Sequence, residues 1–115
     1  MISVLLLEKV LILSKHLEEV LNQDEEIKVL STFTDGHDML NYLKEQTADV
    51  VVIDPLQANG LVIADEVMKK YANVKVIGFS AIENPSNHQI ISLGASYCLS
   101  KHDTTLQDLI GKIKH

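Results

Sequence analysis

The sequence predicts a doubly wound α/β sandwich, in which a parallel sheet of five strands is covered by helices on both faces. Three observations lead there. Apolar runs such as Ser3–Glu8 and Val50–Asp54 are continuous rather than alternating, as strands buried on both faces must be. Stretches with helical spacing separate these runs in strict alternation. Capping and turn residues fall at the joints between the two kinds of segment.

Taken in order, the strands are Ser3–Glu8, Ile27–Thr32, Val50–Asp54, Val74–Ser80 and Ala95–Leu99. The first helix is marked by Val10, Leu13, Leu17, Val20 and Leu21, which recur on one face. Met39, Leu40 and Leu43 mark the second helix, and Asp35 before Gly36 is its expected N-cap. Ala64, Val67, Met68 and Tyr71 mark the third. Asn84–Pro85 offers a cap and a first helical proline for the fourth, and Gly94 ends it where a left-handed residue is needed. The fifth runs from about Asp103, with Leu106, Leu109, Ile110 and Ile113 on one face. Ile90, Ile91, Leu106 and Leu109 are expected mostly to fill the core. No repeat or linker interrupts the pattern, so residues 1–115 read as one domain.

Composition narrows the function. Hydrophobic residues at 46% and charged residues at 23% are those of a folded globular chain. A formal net charge of −6 disfavours direct nucleic-acid contact and binding to an anionic membrane, since both need clustered Lys and Arg. Glu8 and Lys9 split the amino-terminal apolar stretch and no small-residue cleavage site follows, so no signal peptide is read. No apolar run reaches the roughly 18 residues of a spanning helix. The single cysteine, Cys98, excludes an intramolecular disulfide and fits a reducing compartment, so the expected location is the cytoplasm. Cys98 reads as a small core residue, and the scattered His16, His37, His88, His102 and His115 lack the paired spacing of a zinc site. Asp24-Glu25-Glu26 reads as a solvated turn.

In such a sheet the ligand site lies beyond the carboxyl ends of the strands. The candidates there are Glu8, Lys9, Asp54, Ser80 and Lys101. A carboxylate, a hydroxyl and an ammonium gathered at one edge suit the handling of phosphate.

The chain resembles the receiver domains of bacterial response regulators, in the branch that usually precedes a LuxR-type helix-turn-helix domain. SVLLLEKVLILSKHLEEVL resembles the first strand and helix, and DEEIKVLSTFTDGHDML the second unit. ADVVVIDP holds the phosphoryl-acceptor position, VIGFSA the hydroxyl position, and GASYCLSKHDTTLQDLIGKI surrounds the family's pocket lysine. The resemblance implies a flavodoxin-like strand order 2-1-3-4-5. It makes Asp54 the acceptor of a phosphoryl group from a histidine kinase, with Ser80 and Lys101 on the phosphoryl oxygens and Mg²⁺ as cofactor, held by Glu8 and Asp54. It also implies self-association and a DNA-binding domain beyond this chain.

Several residues depart from the family pattern. Its first strand ends in two adjacent acids, whereas Glu8 is followed by Lys9. Mg²⁺ favours carboxylate-rich sites, and two unit charges ~4 Å apart interact by about 4 kcal/mol at an effective dielectric constant near 20, so exchanging an attraction for a repulsion is not minor. The pocket is therefore expected to bind Mg²⁺ weakly or not at all, with Lys9 paired to Asp54 or Glu8 in partial replacement of the cation. Pro55 follows Asp54 directly, and the loop to Gly60 is shorter than usual and lacks a Met-Pro pair. His102 replaces a proline and is expected to make the pocket sensitive to pH. Cys98 takes the place of an aromatic switch residue, with Tyr97 on the opposite face.

These features favour a signalling module that regulates transcription through protein contacts and works without phosphorylation. A conventional receiver phosphorylated at Asp54 is the alternative, and neither reading makes the chain an enzyme. A flavodoxin-like carrier of FMN fits less well, because the loop Glu8–Ile12 has no glycine or hydroxyl to present to a phosphate.

Overall fold

A computed structural model describes residues 1–57, 59–80, 85–102 and 104–115, with 85–88 in their backbone only. Strands and helices alternate as β1 (Ile2–Leu7), α1 (Leu11–Asn22), β2 (Ile27–Phe33), α2 (Gly36–Glu45), β3 (Val50–Ile53), α3 (Gly60–Lys70), β4 (Lys75–Ser80), α4 (Pro85–Leu93), β5 (Tyr97–Ser100) and α5 (Leu106–Lys114). All strand pairs are parallel, and the sheet order is β2-β1-β3-β4-β5, as expected.

The continuous apolar runs follow from what each sheet face meets. Val4 and Leu6 of β1, Val50 and Val52 of β3, and Ile77 and Phe79 of β4 pack with Leu17 and Leu21 of α1 and Leu109, Ile110 and Ile113 of α5. The alternate residues Leu5, Leu7, Val51, Ile53 and Val76 pack on the other side with Met39 and Leu43 of α2, Ile63, Ala64 and Val67 of α3, and Ile90 of α4. β1, β3 and β4 therefore bury both of their faces, and burial is worth roughly 1.5–3 kcal/mol for each large side chain. Gly36 lets α2 approach α3, since a Cβ there would sit 2.3 Å from Ile63 Cγ1.

The joints behave as their chemistry requires, with local differences. Asp35 caps α2 by accepting from the His37 N–H at 2.7 Å. Gly94, at a φ of 122°, ends α4. The Ala95 N–H returns to the Ile90 carbonyl at 3.1 Å, so Ala95 closes the helix and β5 starts at Tyr97 rather than Ala95. The Asn84 cap lies outside the described residues, as does Asp103. The last helix starts at Leu106, because Thr105 and Asp108 form a reciprocal capping box that fixes its first turn there. Val10 is not on the buried face of α1: it precedes the helix and is 48% exposed. Ile91 is likewise 44% exposed, whereas Ile90 and Leu109 are fully buried. Among the described residues no helix is long and apolar enough to cross a membrane.

Candidate functional site

Glu8, Asp54 and Lys101 each occupy the first position after a strand, and each backbone N–H still belongs to the sheet. Glu8 donates to Phe33 at 2.9 Å, Asp54 to Leu7 at 3.3 Å and Lys101 to Ser80 at 2.7 Å. The sheet thus sets the starting points of the three side chains. Lys101 begins two strands away from Asp54 and three from Glu8. Neighbouring strands are about 4.8 Å apart, so only a long side chain spans the gap. Its stem crosses the end of β4, where Nζ lies 5.8 Å from the centre of the Phe79 ring. Ser80, fully buried at the end of β4, lies beside it in the sheet.

The three charged groups meet. Lys101 Nζ donates to Asp54 Oδ2 at 2.7 Å and to Glu8 Oε1. The other oxygen of each carboxylate takes a backbone N–H two residues further on: Val10 to Glu8 Oε2 at 2.9 Å, and Leu56 to Asp54 Oδ1 at 2.9 Å. All four carboxylate oxygens are therefore engaged. The side chains of Lys101, Glu8 and Asp54 are only 10%, 5% and 2% exposed. In such a setting the desolvation of each ion has to be offset by complete hydrogen bonding, which this arrangement supplies. Burial alone would lower the affinity of Lys101 for its proton. The bonds to Asp54 and Glu8 outweigh that effect and hold its pKa above the ordinary lysine value.

Lys9 does not take the expected place. It is exposed, and among the described residues its ammonium forms no ion pair. The physical reason is the direction of the chain. Glu8 turns its carboxylate back onto Val10, and the intervening Lys9 N–H is held by Gln57 Oε1 at 3.1 Å. The pairing assigned to Lys9 is made by Lys101. His102 is also exposed, and its backbone N–H donates to Ser100 Oγ at 3.2 Å. Cys98 is half-buried on the face opposite Tyr97, against Gly78, where a Cβ would come within 2.9 Å of its sulfur. Burial, with a smaller contribution from Asp54, raises its pKa, which is the condition of an unreactive thiol.

The short loop after Asp54 is two consecutive turns. The Gln57 N–H donates to the Asp54 carbonyl at 3.4 Å and the Gly60 N–H to the Gln57 carbonyl at 2.7 Å. Asn59 completes the path in the left-handed region at a φ of 60°. A Cβ on Gly60 would lie 2.0 Å from the Asp54 carbonyl oxygen, so this position requires glycine. Gln57 was not among the candidates read from the sequence. No local signal singled it out, since Gln57 is one of two amides, with Asn59, between Pro55 and Gly60. As arranged, the pocket offers Mg²⁺ two carboxylates already bridged by an ammonium, and among the described residues no cluster of three His, Cys, Asp or Glu side chains forms.

A sheet in the order 2-1-3-4-5, with acidic, hydroxyl and lysine side chains at the ends of β1, β3, β4 and β5, defines a receiver-type signalling fold. Residues 4–114 match the response regulator receiver domain, and the chain belongs to that family. Solved structures agree in fold. The chain is similar to a DNA-binding response regulator of the LuxR family from Staphylococcus aureus, with a TM-score of 0.87, 20% identity and full coverage of both chains. It is similar to the signal receiver domain of the putative response regulator NarL from Mycobacterium tuberculosis, with a TM-score of 0.88 and 21% identity over 98% of this chain and 93% of that one. It is also similar to RcsB from Salmonella enterica serovar Typhimurium, solved on promoter rprA with the phosphomimetic BeF3-, with a TM-score of 0.84 and 17% identity over 98% of this chain and 65% of that one. No curated protein shows significant sequence similarity to the chain.

Proposed function

We propose that this receiver domain regulates transcription through protein–protein contacts, and that its pocket is organised by Lys101 rather than by Mg²⁺ and phosphorylation. The observation that carries the reading is the bridge from Lys101 to both Glu8 and Asp54, with every carboxylate oxygen engaged. The exposed Lys9, in place of a second acid, supports it by lowering the pull of the rim on a divalent ion. In this reading the domain works in the cytoplasm as a binding module, not as an enzyme, and associates with a second copy of itself. A DNA-binding domain joined to it would make the nucleic-acid contacts, because the net charge of −6 suits it poorly to that task.

The alternative is a conventional phosphoacceptor, favoured by the placement of Asp54, Ser80 and Lys101 at one edge of the sheet. There an Asp54 oxygen would attack the phosphorus of a kinase phosphohistidine, the P–N bond would break and the imidazole would leave. Lys101 would follow the charge onto the phosphoryl oxygens. Asp54 would first have to release Lys101 or the Leu56 N–H.

An NMR titration of wild type with MgCl2 separates the two. The proposal predicts no saturable shift at Glu8, Asp54 or Lys101. Saturable pocket shifts in wild type at low millimolar Mg²⁺ would contradict it.

A further inference from the structure

Each carboxylate of the pocket is tied to its own loop, Glu8 to Val10 and Asp54 to Leu56. Those two bonds fix a carboxylate relative to its loop, but not one loop relative to the other. Gln57 supplies that link. Its side-chain oxygen accepts the Lys9 N–H, from the residue lying between Glu8 and Val10. Its backbone N–H and carbonyl are committed to the two turns that follow Asp54. Among the described residues this is the side-chain hydrogen bond that joins the loop after β1 to the loop after β3 beyond the end of the sheet.

We propose that Gln57 is a positioning residue that latches these two loops together, holding Glu8 and Asp54 at the separation Lys101 spans and closing the rim above them. The proposal rests on the reading of the pocket as one organised by Lys101, and it names the residue that regulates access to it. The geometry accounts for the role. The sheet holds the backbone as far as the Asp54 N–H on the Leu7 carbonyl, and Lys101 reaches both carboxylates while the two loops that follow, where no strand pairing acts, keep Glu8 and Asp54 turned toward it. Pro55 and the left-handed Asn59 limit the paths the second loop can take, so an amide side chain at position 57 faces the first loop with little freedom to lose on bonding. Breaking this bond would let the loops part and admit water, small phosphate donors or cations to Asp54 without disturbing either core cluster.

The test compares wild type with Gln57→Ala and with Gln57→Glu, which retains an acceptor. Two quantities are read: hydrogen exchange of the Lys9 amide, and acylation of Lys101 by acetic anhydride followed by peptide mass. The latch predicts that Gln57→Ala speeds Lys9 exchange and Lys101 acylation by about two- to tenfold, the range set by one net hydrogen bond. It also predicts that the melting temperature holds in Gln57→Ala and that Gln57→Glu restores wild-type behaviour. Unchanged acylation in Gln57→Ala would overturn the proposal, as would faster exchange spread over the whole sheet. A wild type that binds Mg²⁺ tightly would sink the phosphorylation-independent reading and leave the Gln57 comparison intact, so the two failures are distinguishable.

Discussion

Replacing Lys101 by methionine removes the cation but keeps most of the apolar stem that packs near Phe79. Glu8 and Asp54 then face each other almost fully buried, each retaining one backbone bond. Removing one partner of a buried ion pair typically costs about 3–5 kcal/mol, because the remaining charge is left uncompensated. Near 4 °C per kcal/mol for a chain of this length, that is a fall in Tm of roughly 12–20 °C. The exposed pair Lys69–Asp65 provides the control, with Lys69 74% exposed on α3. Lys69→Met should shift stability by no more than about 0.5 kcal/mol. Urea and thermal unfolding followed by circular dichroism measure both. Adding Glu8→Gln and Asp54→Asn should recover most of the Lys101→Met deficit at neutral pH. A loss below about 1 kcal/mol, or one indifferent to neutralisation of the two acids by substitution, would contradict this role of Lys101.

Three further outcomes follow from the same geometry. The pKa of Lys101 is raised on folding, so its contribution is complete below the ordinary lysine value of 10.5 and is lost as the pH rises through the higher folded value. Alkaline unfolding of wild type should therefore be steeper than that of Lys101→Met above that point. Gly60→Ala should destabilise by about 1–3 kcal/mol and shift the Asp54 and Leu56 amide resonances, because its Cβ would press on the Asp54 carbonyl. Lys9→Asp should change stability by less than about 0.5 kcal/mol, as expected of an exposed side chain without an ion pair among the described residues; a large change in chemical denaturation would return Lys9 to the pocket.

The fold was legible because both faces of the sheet are covered, which leaves uninterrupted runs such as Val50–Ile53 and helices with one apolar stripe. Boundaries were less so. Ala95 looked like strand, but its N–H is used to close α4, and Asp103 looked like a helix start, but the capping box at Thr105 fixes the first turn of α5. The members of the site were legible from strand ends, and their pairing was not. Proximity in sequence suggested Lys9 as the partner of Glu8, yet consecutive residues leaving a strand point apart, and the partner comes from the far strand β5. Gln57 escaped notice because its role depends on two loops meeting, which no local pattern encodes.

In the proposed function, Lys101 and the two acids it bridges, rather than a metal and a phosphoryl group, set the state of this receiver. Intact-mass measurement after incubation with acetyl phosphate and Mg²⁺ tests it most directly, with Asp54→Ala alongside. The account predicts that wild type keeps its mass, like the variant. A wild type that gains the mass of one phosphoryl group while Asp54→Ala does not would contradict it.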